Sequence, residues 1–144
     1  MKSAASPVDR LQWFAPGVDP ERPRRAGVKP SGGGIHHTKT LMLAELTAYL
    51  QAAGTATASA HDLVMSQNVL GKRTSSARKI ALSRLGNLYS IRNPVPIFMV
   101  QSALWQIDAE GRPMLALLTA LARDAILRDS ADTVLPAALG TPIR

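Results

Sequence analysis

The sequence predicts an all-α domain, a compact bundle of about five to six helices. Apolar residues make up 46% of the chain and aromatic residues only 4%, so the core must be built from Leu, Ala, Ile, Val and Met. Leu and Ala lose little side-chain freedom in a helix and therefore favour it. Apolar residues recur three to four positions apart in several segments, and no segment alternates long enough for a strand. The length of 144 residues fits one domain.

Residues 1–37 are predicted to form a flexible arm ahead of a helical domain of residues 38–144. The arm contains five prolines and the run Gly32-Gly33-Gly34, which together cannot sustain a regular element. Its apolar residues are expected to dock on the domain as a clip; they are Leu11, Trp13 and Phe14.

The first three helices follow from apolar spacing and capping residues. Leu43, Leu46, Leu50 and Ala53 share one helical face, and Gly54 ends that helix. A second helix covers about residues 60–68, capped by Ser59 or Thr57. The third helix is capped by Thr74 or Ser75 and runs to about Tyr89.

A proline-containing break at residues 93–96 precedes a fourth helix over about residues 97–107. The fifth helix spans about residues 113–128, with Pro113 at its first position. This helix is apolar on every side from Met114 to Leu121, which predicts that it is the buried central helix. Asp124 and Arg128 form an i, i+4 pair near its end, and Ser130 caps a short last helix.

The positive charge is concentrated in one segment. The net charge is +7, and residues 63–107 contain six basic residues and no acidic residue. Such a concentration indicates a polyanionic partner. The six are Lys72, Arg73, Arg78, Lys79, Arg84 and Arg92.

The third helix divides into two predicted faces. The packing face contains Ala77, Ile80, Ala81, Leu85 and Leu88. The exposed face contains Lys72, Ser75, Ser76, Lys79, Ser83 and Ser90. Hydroxyl groups donate hydrogen bonds to phosphate oxygens, and the cations add positive charge. The unpaired N–H groups at residues 73–76 add donors and the positive end of the helix dipole, which together favour an anion.

The second helix, a short Gly71-containing turn and the third helix also have the order of a helix-turn-helix motif. We therefore predict that the chain binds DNA, with double-stranded DNA as the expected form. The alternative is an ordinary solvated helix face, and Arg84 could instead bridge a buried carboxylate or carbonyl group. The predicted contact residues are Lys72, Arg73, Thr74, Ser75, Ser76, Arg78, Lys79, Ser83 and Arg84.

The same segment resembles the BrxA family of bacterial BREX phage-exclusion systems. The resemblance covers about residues 32–135 and is most specific over Asn68–Leu85. It rests on Gly33-Gly34, Glu45 within Leu41–Leu50, Asn68-Val69-Leu70, Lys72-Arg73, Thr74–Ala77, Arg78-Lys79-Ile80, Arg84-Leu85 and the Leu/Ala-rich Leu115–Leu127.

This resemblance implies an all-helical fold arranged like the NusB-type antitermination factors. It also implies DNA binding, a role in phage defence beside other defence proteins, and no catalytic site. The proline-rich arm is not part of the family pattern, and relatives commonly continue past the position of Arg144. We expect a shortened member, a fragment or a related subfamily.

Catalytic and metal sites are not expected. There is no cysteine, which removes thiolate chemistry and Cys-based zinc sites. The three histidines, His36, His37 and His61, have no acidic residues at metal-ligand spacing. The glycine run lacks the Lys-Ser/Thr of a phosphate loop, and Asp108 and Glu110 fit solvated loop carboxylates. We therefore predict a non-enzyme without cofactor, metal or small-molecule substrate.

The predicted location is the cytoplasm. The apolar runs Pro94–Val100 and Met114–Ala122 are far shorter than the about 20 residues of a membrane helix. A protein-adaptor subunit is the competing function, and it requires a large exposed apolar patch, expected at Trp13, Phe14 or Val134–Leu139. Membrane-surface binding is least favoured, because the basic face lacks adjoining apolar residues that insert into lipid.

Overall fold

The computed structural model describes residues 19, 21–32 and 40–138, and for residues 132–138 it describes the backbone alone. Seven helical elements and no strand are found in these ranges, so the predicted all-α class is confirmed. The elements are α1 (Glu21–Ala26), α2 (Leu43–Ala53), a π-helical turn (Asp62–Ser66), α3 (Ser75–Tyr89), α4 (Pro96–Ile107), α5 (Arg112–Arg123) and α6 (Ala125–Ala138).

The core lies where α3 packs against the π-helical turn on one side and against α5 on the other. Its largest side chains, Trp105 and Tyr89, are almost completely buried. The Tyr89 hydroxyl donates to the main-chain carbonyl of Leu41 and so ties α3 to the start of α2. Arg112 donates from Nε to the Trp105 carbonyl at 2.9 Å and lies 5.7 Å from the indole centroid. The first contact fixes α3 relative to α2, and the second joins α5 to α4.

Helix α5 is not the all-round buried helix that its composition predicts. Met114 and Leu118 are 57% and 55% exposed, while Ala116 and Ala120 are fully buried. The small alanine side chains form the contact side because they let the backbone of α5 come close to α3 and α4. The prediction failed because apolar content does not show which side faces the core.

The predicted fifth helix is also split in two. Asp124 is extended, with φ −123° and ψ 102°, and ends α5. Its Oδ1 accepts a hydrogen bond from the Leu127 N–H at 3.0 Å, which is a capping bond at the start of α6. Ser130 does not cap a helix, since its hydroxyl donates to the Leu127 carbonyl within α6.

Part of the predicted arm is a regular, packed element. Helix α1 contacts α4, and Val28, which follows α1, is buried. Lys29 donates its N–H to the Ala122 carbonyl at 2.9 Å. Gly27 has φ +108°, and a side chain there would collide with Val95. The expectation of no regular element before residue 38 is therefore wrong for residues 21–26, because packing against α4 and α5 stabilises this short helix.

The proposed clip residues Leu11, Trp13 and Phe14 lie outside the described residues, as do His36 and His37.

Candidate nucleic-acid interface

The start of α3 is fixed by a capping hydrogen bond that the sequence predicts. Thr74 has extended backbone angles, and its hydroxyl accepts from the Ala77 N–H at 3.1 Å, which confirms the predicted cap. The N–H groups of Ser75 and Ser76 have no acceptor within the helix. The two serine side chains and Thr74 are exposed. The helix therefore presents free N–H groups and three hydroxyls at its positive end.

The segment before α3 is a longer connection than the predicted short turn. The chain is helical from Ala60 to Ser66, and residues 67–74 then lead to α3. Asn68 has φ +52°, and its side chain accepts from the Lys72 N–H at 2.9 Å. Gly71 also has positive φ and donates to the Asn68 carbonyl. A helix-turn-helix motif uses a turn of three to four residues, so this connection is about twice as long.

Three cations of α3 and its N-terminal flank are exposed and make no ion pair with a described residue: Arg73, Lys79 and Arg84. At 100° per residue Lys79 and Arg84 lie about 140° apart on α3, with Ser76 and Ser83 between them, and Arg73 precedes the helix. Arg84 lines a shallow groove beside Ile80 and Met42 and bridges no described carboxylate or carbonyl. The exposed surface thus combines charge with small hydroxyl side chains.

Lys72 differs from these three cations. Its Nζ lies 2.7 Å from Glu45 Oε1 of α2, and the two side chains are 32% and 24% exposed. The hydrogen bond from Lys72 holds the pKa of Glu45 below its ordinary value. The prediction of Lys72 as an exposed cation is therefore corrected, since it forms a half-buried ion pair that joins the start of α3 to α2.

Arg78 is likewise engaged in the fold. Its Nη1 donates to the Met65 carbonyl at 3.0 Å, and its Nε is 3.4 Å from the Lys72 carbonyl. The side chain is half-buried. It joins α3 to the π-helical turn, and its guanidinium group is directed at main-chain carbonyls.

The packing face of α3 is partly different from the prediction. Ala81, Leu85 and Leu88 are buried as predicted, but Ile80 is 49% exposed and Leu82 is 5% exposed. The π-helical turn and α5 both pack against α3, so α3 buries a wider part of its circumference than the single predicted face. Ser90, predicted to be exposed, is 7% exposed and donates to the Asn93 carbonyl at 2.6 Å. Ser90 has φ +61° and ends the helix, so it turns inwards.

A second basic feature lies at the C-terminal end of α3 and was missed at the sequence level. Lys29, Arg92 and Arg123 line a cleft of about 300 Å³, here called the cationic cleft. Arg92 belongs to the acid-free segment, so the sequence could have indicated it as part of a basic site. Lys29 and Arg123 are distant in sequence, and no local pattern indicates that they meet.

The described residues contain no group of three or more His, Asp or Glu side chains that could hold a metal ion. His61 is exposed, and the neighbouring Asp62 accepts from the Ser59 hydroxyl at 3.1 Å. No helix among the described residues is long and apolar enough to cross a bilayer.

Comparison with protein-family models, curated proteins and solved structures finds no match to this chain.

Proposed function

We propose that the chain is a non-enzymatic DNA-binding protein that contacts phosphate groups through the exposed surface of α3. The observation that carries the proposal is the set of exposed cations Arg73, Lys79 and Arg84 without a described acidic partner. Phosphate affinity grows with the number of such cations. The open N-terminus of α3 adds N–H donors and a positive dipole end.

The dimensions of α3 suit double-stranded DNA. Its 15 residues give a length of about 22 Å. A helix with side chains is about 10–12 Å across, and the major groove is about 12 Å wide. Small residues on the exposed surface, Ser76 and Ser83, allow the helix axis to approach the backbone closely.

The resemblance to the BrxA family supports placing this activity in a bacterial phage-defence system of the BREX type. A DNA-bound component of such a system acts in the cytoplasm, where bacterial DNA lies. The segment of strongest resemblance, Asn68–Leu85, contains every contact residue of this proposal.

The test is a fluorescence-anisotropy titration of labelled duplex DNA with the full chain. The double variant R73Q/K79Q removes two cations of the proposed surface. The matched control R22Q/R25Q removes two exposed cations of α1, so both variants have the same net charge. At about 50 mM salt we expect at least a roughly tenfold loss of affinity in R73Q/K79Q and little change in the control. Equal losses in both variants would show that net charge alone attracts the DNA.

An exposed apolar surface favours a second function, that of a protein-adaptor subunit. Large apolar side chains of α4 and α5 border a groove of about 460 Å³ between the two helices. Exposed apolar patches mark interaction sites, and a groove between helices suits an amphipathic helix of a partner protein. Val100 and Leu118 line this groove and are more than half exposed. The other large apolar side chains of α4 and α5 exposed by more than half are Met99, Ile107 and Met114.

The adaptor function predicts that V100E/L118E prevents assembly with the partner and leaves DNA binding unchanged. Sedimentation of the wild-type chain alone, over a range of concentrations, shows whether the groove instead supports self-association. DNA binding that fails in R73Q/K79Q but survives in V100E/L118E places the two activities on separate surfaces.

A further inference from the structure

The cationic cleft combines three positive side chains from separate parts of the chain. Lys29 follows α1, Arg92 follows α3, and Arg123 ends α5. No carboxylate lines the cleft; its remaining lining residues are Ser83, Gly86, Asn87, Ser90 and Asn93. The volume of about 300 Å³ is at the lower end of small-molecule sites. The cleft is therefore polar, positively charged and large enough for a compact anion.

Arg123 is the buried cation of the cleft. It is 8% exposed, and its Nη1 and Nε lie 3.2 and 3.4 Å from the carbonyls of Gly27 and Asn87. These carbonyls accept its hydrogen bonds but carry no full negative charge, and Arg123 has no ion pair with a described carboxylate. Burial lowers the pKa of Arg123. A buried cation without a counter-ion is costly, which makes an anion in the cleft favourable.

Lys29 is held beside Arg123 by its main chain. Its N–H donates to the Ala122 carbonyl at 2.9 Å, and its carbonyl accepts from Arg128 Nη2 at 2.8 Å. The pKa of Lys29 is lowered, first by burial and second by repulsion from Arg123, while Asp124 acts in the opposite direction. Asp124 is buried and caps α6. Its carboxylate therefore reduces the repulsion without lining the cleft.

Arg92 completes the cleft because Gly86 leaves space for it. A Cβ at position 86 would lie 3.3 Å from Arg92 Cδ, so the stem of Arg92 lies directly over this glycine. The turn that carries Arg92 is fixed by Ser90, whose hydroxyl donates to the Asn93 carbonyl at 2.6 Å. Arg92 is exposed and pairs with no described residue. It can therefore reach an anion from solvent.

We propose that the cationic cleft binds a phosphate group. A phosphate monoester carries up to two negative charges and three terminal oxygens, and a phosphodiester carries one charge and two terminal oxygens; either can accept hydrogen bonds from one ammonium and two guanidinium groups. The source is either a phosphate of the DNA backbone, reached along α3, or a free phosphorylated small molecule. The site stands independently of the DNA-binding proposal, because only Ser83 belongs to both.

The test is amide NMR of the full-length, ¹⁵N-labelled chain during titration with inorganic phosphate at constant ionic strength, with chloride as the balancing anion. We expect saturable shifts at Asn87, Arg92 and Asn93, with a Kd on the order of 1 mM. In K29Q/R92Q the affinity should fall at least about tenfold, since two of three charges are lost. The control R22Q/R25Q should retain the wild-type affinity.

Two arms of the experiment separate the sources of the phosphate. If duplex DNA shifts the same amides and inorganic phosphate reverses those shifts, the site holds a backbone phosphate. If DNA leaves these amides unchanged while phosphate saturates them, the ligand is a free phosphate compound, and this holds even where DNA binding fails entirely.

The proposal is overturned if phosphate causes no saturable shift, or if K29Q/R92Q binds it as the wild-type chain does. Arg92 is exposed, so R92Q alone provides a second measurement should the double variant unfold. This single variant should weaken phosphate binding at least about threefold, and unchanged binding would equally overturn the proposal.

Discussion

Adjacent residues of the same charge, Lys72 and Arg73, are predicted to have opposite roles. Lys72 lies 2.7 Å from Glu45 and both side chains are largely covered, whereas Arg73 is exposed and has no described partner. The perturbation is a pair of single variants, K72Q and R73Q, which remove one positive charge each. K72Q should affect stability, and R73Q should affect DNA binding.

The stability effect follows from the geometry of the Lys72–Glu45 pair. A charge-assisted hydrogen bond contributes about 1.5–3 kcal/mol and an exposed ion pair about 0.2–1 kcal/mol. A half-buried pair lies between these limits, so K72Q should cost about 1 kcal/mol, or about 3–5 °C in Tm for a chain of this length. R73Q removes no contact and should change stability by less than about 0.5 kcal/mol.

The difference between wild type and K72Q should depend on pH. The pKa of Glu45 is lowered in the folded state, so the unfolded state takes up a proton first as the pH falls. The stabilisation is therefore complete above the ordinary pKa of 4.5 and is lost as the pH falls through the lower folded value. Urea unfolding at pH 7 and near pH 3 measures this difference.

The salt dependence of DNA affinity should distinguish the two variants. Each phosphate contact contributes about 0.9 to the slope of log affinity against log salt, so R73Q should lower the magnitude of that slope by about 0.9, whereas K72Q should leave it nearly unchanged. A K72Q variant with wild-type Tm and a slope as low as that of R73Q would refute the assignment of Lys72 to an ion pair.

Four further variants test three other structural assignments. L82A should destabilise the fold by about 2–5 kcal/mol and I80A by less than about 1 kcal/mol, because only Leu82 is buried; similar costs in chemical denaturation would contradict the observed packing face. G27A should cost at least about 1 kcal/mol, since Gly27 has φ +108° and contacts Val95; an unchanged Tm would argue against that backbone conformation. R78M should destabilise the fold by about 1–2 kcal/mol, because it loses hydrogen bonds to two carbonyls. It should not alter the salt dependence of DNA affinity; a weaker dependence would show that Arg78 contacts the DNA.

Local signals predicted much of the fold. Thr74 caps α3 as expected because a hydroxyl at that position satisfies a free N–H group. The helix predicted over about residues 97–107 spans Pro96–Ile107, one residue longer, because a proline fits the first position of a helix, where its missing N–H is not needed. These features depend on a few neighbouring residues, so the sequence contains the necessary information.

Features that depend on distant contacts could not be predicted. Nothing near Lys72 in the sequence indicates that Glu45, on another helix, neutralises its charge. The outward direction of Leu118 follows from the close approach of α5 through Ala120, which spacing alone does not specify. For the same reason the approach of Lys29 to Arg123 became visible only in the folded chain.

The most direct test of DNA binding by α3 is the salt slope of the wild-type chain and of R73Q/K79Q, measured by anisotropy between about 50 and 200 mM salt. Removing two phosphate contacts should lower the magnitude of the slope by about 1.8. With Arg73, Lys79 and Arg84 as the contacts, the wild-type affinity should fall about 40-fold over this range, and that of the variant only about three- to fourfold. Equal slopes for the two chains, or wild-type binding that ignores salt, would contradict the proposed function of α3.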